Sequence, residues 1–176
     1  MQATSAPPTT RPAPAATPTV VRRVTVMLYE ALLLISVEML AIAVYMLATL
    51  NSQHPVAKEG VKAWLFLVTA AYFIWCWTNT GHTLAMKTWR IKVVKPGHQR
   101  LPVRTAAIRF LLAWGWFLPA LLVIRAFGLH GKGEIALVFL AGIVAWAMTA
   151  LFDKDRQFLH DRLAGTRLVA LPKAAR

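Results

Sequence analysis

Four long apolar segments dominate the pattern of hydrophobic and polar positions along the chain. They span residues 24–50, 61–77, 105–124 and 134–152, and shorter polar stretches separate them. Each is close to or above the roughly 17–25 residues that a helix needs to cross a bilayer. A buried helical bundle in water is the alternative, but four such segments in 176 residues leave too little polar chain to coat it. The pattern therefore predicts an all-α membrane protein with four transmembrane helices.

The two ends of the chain differ from these segments. Residues 1–21 form a tail of Pro, Thr and Ala with almost no large apolar side chain, and such a composition predicts disorder. Residues 22–171 then form the transmembrane domain, and residues 172–176 form a short basic C-terminal tail. Pro119, four residues after Gly115 in the third segment, predicts a kink there because proline removes a backbone donor and clashes with the preceding turn.

The polar stretches that follow the second and fourth segments have patterns of their own. Residues 88–94 are rich in β-prone side chains, a Lys-Pro-Gly-His turn signal follows, and residues 99–103 complete a predicted short β-like hairpin. After the fourth segment, residues 155–164 predict a polar helix closed by Gly165, and residues 166–171 predict a strand. Leu84-Ala85 and Leu163-Ala164 are each followed by Thr and then by a basic and apolar run, which ends at Val94 and Val169. This echo indicates a parallel repeat of two helical hairpins, with chance similarity as the alternative.

Composition agrees with a membrane protein. The apolar fraction is 57% and the charged fraction 15%, whereas soluble domains have roughly 45–50% and about 25%. Both values argue against an ordinary soluble enzyme and against a disordered chain. The single cysteine, Cys76, excludes an intramolecular disulfide and any multi-cysteine metal site. The five histidines lie scattered without metal-ligand spacing, and no phosphate loop or nucleophile motif is present. We therefore expect no enzyme activity, no cofactor and no metal.

The net charge of +13 would suggest nucleic acid in a soluble protein. In this chain the positions of the basic residues explain the net charge. Fifteen of the 20 lysines and arginines lie in the N-terminal tail, the second loop and the C-terminal segment, and only four lie in the other two loops. The positive-inside rule then places both termini and the second loop, with its hairpin, in the cytoplasm. Anionic lipid headgroups are the expected partners of this basic face, and nucleic acid is not.

Apart from Lys62 and Glu134 at segment ends, three charged residues lie inside the apolar segments, where each costs roughly 2.5–3.5 kcal/mol on insertion scales. Glu30 and Arg109 lie at similar depths, about 9 Å and about 6 Å from the starts of their segments at ~1.5 Å per residue. Matched depth predicts a Glu30–Arg109 pair, and separate snorkelling of both side chains is the alternative. Glu38 lies deeper. It is either protonated, lining a polar cavity, or hydrogen-bonded as a neutral acid to Thr69 or Tyr72.

Several motifs together resemble the RDD family of bacterial membrane proteins. They are Arg22-Arg23, Glu30, Gly81-His82-Thr83-Leu84 with Lys87, Arg109, and the run from His160 to Thr166. The resemblance covers about residues 20–171 and implies a multi-pass protein of the bacterial inner membrane. The family arginine falls on Arg22 or Arg23, its first aspartate on Glu30, and its second on Asp161. Glutamate at the first of these positions keeps the charge and adds a methylene.

Two functions remain open. The first is a small transporter, or transporter subunit, for an unidentified ligand or cation, in which Glu30, Glu38 and Arg109 form the polar path. Four helices are few for a carrier, so it would form a homo-oligomer or join a partner membrane protein. The second is a non-transporting scaffold or accessory protein that binds a partner through its basic face. Asp161 is either a solvated acid or fastens the C-terminal segment by accepting hydrogen bonds from Arg22 or Arg23.

Overall fold

The computed structural model describes residues 16–52, 54–153 and 157–172. Most of the predicted tail and of the basic C-terminal tail therefore lies outside the described residues. The helices are α1 (Val20–Ala48), α2 (Pro55–Asn79), α3 (Leu84–Thr88), α4 (Val103–Ala113), α5 (Leu118–Phe127), α6 (Lys132–Met148) and α7 (Leu159–Leu163), and the strands are β1 (Ile91–Val94) and β2 (Arg167–Ala170).

The long helices fit the four-span prediction. Three are long and apolar enough to cross a membrane: α1, α2 continued into α3, and α6 with the short 3₁₀ turn that follows it. The bent pair Val103–Trp116 and Leu118–Phe127, which meet at 42°, makes a fourth candidate if the two helices are counted as one span. The break lies beside Pro119, at the start of α5, so the predicted kink is confirmed. α2 begins six residues earlier than predicted, because His54 Nδ1 caps it by accepting the Val56 N–H at 3.3 Å.

The outward surfaces of these helices are apolar. Only 6% of the most hydrophobic window of α1, and the same share of α6, is buried inside the protein. Leu32, Leu47, Leu122 and Leu137 are each more than half exposed. A surface this apolar suits lipid and would be unstable in water, so the water-soluble bundle is the poorer interpretation.

The chain is built as two halves with the same order of elements. In the first, α1 packs on α2, and α3 packs back on α1 before β1. In the second, α5 packs on α6, and α7 packs back on α4 before β2. Contact between α2 and α4 joins the halves. Both short helices and both strands lie at one end of the bundle, which we call the sheet end.

The two strands pair with each other, antiparallel, from Ile91 opposite Ala170 to Val94 opposite Arg167. The predicted hairpin within residues 88–103 is therefore wrong, although the strand predicted at 166–171 is confirmed. The turn after β1 does form, with His98 N–H bound to Lys95 O at 3.1 Å. Residues 99–102 then run irregularly into α4, because the strand partner comes from the other half of the chain.

Backbone groups on the outer edges of this two-stranded sheet form hydrogen bonds with neighbouring segments. Val93 N–H donates to Gly81 O at 2.7 Å, and Ala170 N–H donates to Ala16 O at 2.8 Å. Gly81 has φ +77°, and a Cβ there would lie 2.6 Å from Lys92 Cε and 3.0 Å from Val93 O, so only glycine fits this approach. The sheet is thereby locked against the end of α2. The main apolar core, including Trp77, Ile91, Phe110 and Leu168, is centred on the sheet end.

Candidate functional site

The charged residues of the second half meet at the sheet end. Arg109 on α4 donates from both Nε and Nη2 to Asp161 Oδ1 on α7, at 2.8 Å each. Arg109 is 6% exposed and Asp161 is 0% exposed. This contact corrects two predictions. Glu30 is not the partner of Arg109, and Asp161 is not a solvated acid. Two residues at the same depth on two helices can pair only if both lie on the faces that the helices turn to each other, and depth alone does not determine those faces.

Trp77 of α2 completes the environment of Arg109. Its ring lies 4.1 Å from the guanidinium carbon, a cation–π contact across the junction between the halves. Burial of an arginine is tolerated only when its charge is compensated, and here a carboxylate and an indole face do so. The pair fastens α7, and with it β2, to the transmembrane helices, which is the role predicted for Asp161. Its hydrogen-bonding arginine is Arg109, where Arg22 or Arg23 was expected.

His160 lies beside this ion pair and is also buried. Trp146 Nε1 donates to His160 Nδ1 at 3.4 Å, and His160 Nε2 lies 3.5 Å from Asp161 Oδ1. An indole can only donate, so Nδ1 is an acceptor, and we assign the imidazole proton to Nε2 on that basis. Burial lowers the pKa of His160 to about 4, against the opposing effect of Asp161 and with a smaller lowering by Arg109. The ring is neutral at physiological pH.

The two adjacent arginines of α1 have different surroundings. Arg23 is 2% exposed, donates from Nε to Pro18 O at 2.9 Å, and lies 5.3 Å from the centre of the Phe158 ring. The Phe158 ring in turn stacks on the ring of His160, the chain neighbour of Asp161. Arg22 instead donates to the carbonyl oxygen of Trp89, which ties α1 to the turn between α3 and β1. Arg23 is therefore the arginine that belongs with Asp161 in the second-half cluster.

The acidic residues of α1 form a separate site. Glu30 accepts from Tyr72 Oη at 2.7 Å through Oε1, and from Thr83 Oγ1 through Oε2. Glu38 accepts a hydrogen bond from Thr69 Oγ1 at 3.3 Å. Of the partners considered for Glu38, Thr69 and Tyr72, the structure therefore shows Thr69. Thr69 and Tyr72 are three residues apart, about one turn of α2, and so share a face. We call these five residues the α1–α2 seam.

The structure thus divides the predicted site residues into two sets. Arg23, Arg109 and Asp161 meet in one cluster, and Glu30 and Glu38 lie on the seam. Sequence reasoning named Tyr72 only as a possible partner of Glu38, and it quoted Thr83 and His160 within the family motifs without giving either a contact. Thr83 had a signal, because a threonine just before a short helical run is a typical N-cap, and its Oγ1 does accept the Met86 N–H at 3.3 Å. In the residues that the structure describes, no group of three or more His, Cys, Asp or Glu side chains could hold a metal.

Comparison with known proteins adds one positive finding. No curated protein and no solved structure matches the chain. The model of the RDD family matches residues 17–165, which include both arginines of α1, the seam, Arg109 and Asp161. The chain belongs to the RDD family.

Proposed function

We propose that this protein is a small membrane transporter, or the subunit of one, and that the α1–α2 seam is its polar path for a proton or another cation. It would lie in the bacterial inner membrane with both termini in the cytoplasm. The role proposed is transport and not catalysis.

The seam is the observation that carries the proposal. Two carboxylates lie inside a single apolar helix, and in the described part of the chain neither has a lysine or arginine within ion-pair distance. Their partners are hydroxyl groups, from Thr69, Tyr72 and Thr83. Hydroxyls both donate and accept, so they tolerate a carboxylate that gains or loses a proton, or that exchanges it for a cation. Ionisable groups at such depth are expensive and typically mark ion pathways.

The seam has a direction. Glu38 and Glu30 are eight residues apart, about 12 Å along the helix at ~1.5 Å per residue, and Thr69 and Tyr72 lie between them on α2. Thr83 continues the series to the sheet end. Arg109, which the sequence placed on the path, belongs instead to the ion pair with Asp161. The path proposed here therefore consists of the seam alone.

One chain supplies only one wall of such a path. Most of α1 outside the seam is exposed, as are α5 and much of α6. A complete path would require a second copy of the chain or a partner membrane protein. We propose a homo-oligomer as the transporting form, because the exposed faces are largely apolar and would lie against lipid or another transmembrane helix.

The proposed orientation rests on charge. The first and last described residues lie at the sheet end, where Ala16 and Ala170 are hydrogen-bonded, and most of the lysines and arginines lie in the segments that belong to this end. In a Cys76→Ser background, Ser52→Cys should react with a membrane-impermeant thiol reagent added outside spheroplasts, and Gln99→Cys should not. The reverse labelling would overturn the orientation.

Flux through purified protein tests the function. The full chain is reconstituted in proteoliposomes, and proton and cation movement is followed under an imposed gradient with an ion panel. Wild type should give flux, and Glu30→Gln should lower it at least about tenfold because it removes one of the two seam carboxylates that could carry a proton or cation. Glu59→Gln is the matched control: Glu59 is 72% exposed and paired with Lys62 at the opposite end, so flux should persist.

The scaffold function is favoured by a different observation, namely that the loop between α2 and α4 is basic throughout. Wild-type protein that is folded but gives no flux with any ion would contradict transport and favour that role. Equal loss of flux in the Glu30 and Glu59 variants would separate transport from the seam.

A further inference from the structure

The polar loop of the first half is purely basic. Between Asn79 and Thr105 the chain has six lysines and arginines and no aspartate or glutamate. No ion pair among the described residues involves any of these six cations. The corresponding segment of the second half differs, because Asp161 neutralises Arg109 and Asp153 pairs with Arg162. Among the described residues, the positive charge of the first-half loop therefore has no carboxylate partner.

Part of this charge converges on one cleft. The end of α2, from Trp77 to Gly81, forms one wall, and the chain from Lys92 to Leu101 forms the other. Lys92, Lys95, His98 and Arg100 line it, and no acidic residue does. Lys95 Nζ also donates to Thr105 Oγ1 at 2.9 Å, which ties the turn after β1 to α4. The positive-inside rule requires basic residues on the cytoplasmic side, but it does not require their side chains to line the same cleft.

The cleft lies at the depth of lipid headgroups. It begins where α2, an apolar span, ends. Trp75, in the last turns of that helix, is 67% exposed, and exposed indoles mark the level of the membrane interface. Leu84 and Val103, close to the cleft in sequence on either side, are 60% and 63% exposed. Cations bordered by exposed apolar side chains suit an amphipathic ligand better than a soluble anion.

We infer that this cleft is a binding site for the phosphate of an anionic phospholipid, held by Lys92, Lys95 and Arg100, with the acyl chains lying along the exposed apolar side chains of α2 and α4. Lys95 and Arg100 place charge on the two sides of the turn at Pro96 and Gly97. A phosphate accepts several charge-assisted hydrogen bonds at once, which is why three converging cations favour it.

Native mass spectrometry of the full chain in mild detergent tests the site. Phosphatidylglycerol and phosphatidylcholine are added in equal amounts, and the lipid retained by each chain is counted. Wild type should retain phosphatidylglycerol preferentially. The variant Lys92→Gln/Lys95→Gln/Arg100→Gln should lose about tenfold or more of that preference. The control Lys58→Gln/Arg125→Gln/Lys132→Gln removes three charges at the opposite end and should retain it.

Two further arms keep the outcome decisive. The variant Lys92→Arg/Lys95→Arg/Arg100→Lys preserves charge and should keep the preference for phosphatidylglycerol. An unfolding midpoint in detergent close to that of wild type shows that the glutamine variant is folded. Inorganic phosphate at matched concentration should not displace the lipid. Equal loss in both glutamine variants would mean that bulk charge and not the cleft binds lipid. Displacement by inorganic phosphate would mean a site for soluble anions. Either result overturns the inference.

Discussion

The two halves of the chain place different chemistry on one backbone plan. Residues 84–94 and 159–169 have the same order of elements when Leu84 is aligned with Leu159: a five-residue helix, a turn and a strand that begins one position later in the second half. The same positions are buried, with Ala85 matching His160, Met86 matching Asp161, Ile91 matching Thr166, and Val93 matching Leu168. The sequence echo had aligned Leu84 with Leu163, four residues too far along. The repeat itself is present.

The difference lies in how each half holds its buried acid. In the first, Glu30 comes from the long helix, and hydroxyls bind it. In the second, Asp161 comes from the short helix, and an arginine binds it. A buried ion pair is costly to separate and so fixes its two elements, whereas hydroxyl contacts stabilise a carboxylate without opposing charge. The second half is thus the fastened half, and the first is the one in which a proton or cation could be exchanged.

The largest effect is expected from Asp161→Asn. Removal of this carboxylate leaves Arg109 buried without its counter-charge, which should lower the free energy of unfolding by about 3–5 kcal/mol. The measurement is unfolding in detergent, with limited trypsin digestion to show increased cleavage after Arg162 and Arg167. Met86→Leu is the matched control at the equivalent position of the first half, and it should cost less than about 1.5 kcal/mol.

A double-mutant cycle decides whether the ion pair is the cause. Arg109→Gln together with Asp161→Asn should be less damaging than the sum of the two single changes, because no lone charge remains. Additive costs, or trypsin patterns identical to wild type, would return Asp161 to the solvated-acid interpretation.

A smaller effect is expected from Glu30→Gln in the first half. The amide keeps one acceptor oxygen and can donate its NH2 to the oxygen of the other hydroxyl, so both Tyr72 and Thr83 keep a partner and the charge-assisted character is lost, at a cost of about 0.5–1.5 kcal/mol. Combined with Arg109→Gln, the costs should add within about 0.5 kcal/mol, because the two residues have no partner in common. Strong coupling in unfolding experiments would show that the Glu30–Arg109 pair forms after all.

These residues also show what the sequence could and could not determine. The spans, the kink at Pro119 and the strand near Leu168 were predictable, since length, proline chemistry and β-propensity are local properties. The partner of Arg109 was not, because two carboxylates were available and helix faces are set by packing between segments far apart in sequence. The prediction of the strand that pairs with β1 was wrong for the same reason. A nearby turn suggested a local hairpin, while the true partner lies in the other half.

The third comparison is between His160 and its equivalent in the first half, through the dependence of stability on pH. His160 is buried and neutral, and its equivalent in the first half is Ala85, which does not titrate. Since its pKa of about 4 is below the ordinary 6.5, the unfolded chain binds a proton more readily between these values. Stability should therefore fall as pH decreases from 6.5 towards 4, by at most about 1.4 kcal/mol per pH unit from this group. His160→Gln should be less stable at pH 7.5 but should lose less on transfer to pH 5. Equal losses would mean that His160 does not titrate in this range.

The smallest effect concerns the turns that follow the two short helices. Gly165 has φ +65° and Arg90 has φ +52°, so both occupy the left-handed region, where a Cβ is unfavourable. A Cβ at Gly165 would meet no atom within 4 Å. Gly165→Ala should therefore cost about 1 kcal/mol through the backbone alone.

Arg90→Gly should instead raise stability by up to about 0.5 kcal/mol, because relief of the left-handed strain is partly offset by the flexibility of glycine in the unfolded state. Arg90→Lys, which keeps the Cβ and the charge, is the control and should be neutral. Unfolding midpoints that move in the same direction in Gly165→Ala and Arg90→Gly would show that the two turns are not equivalent.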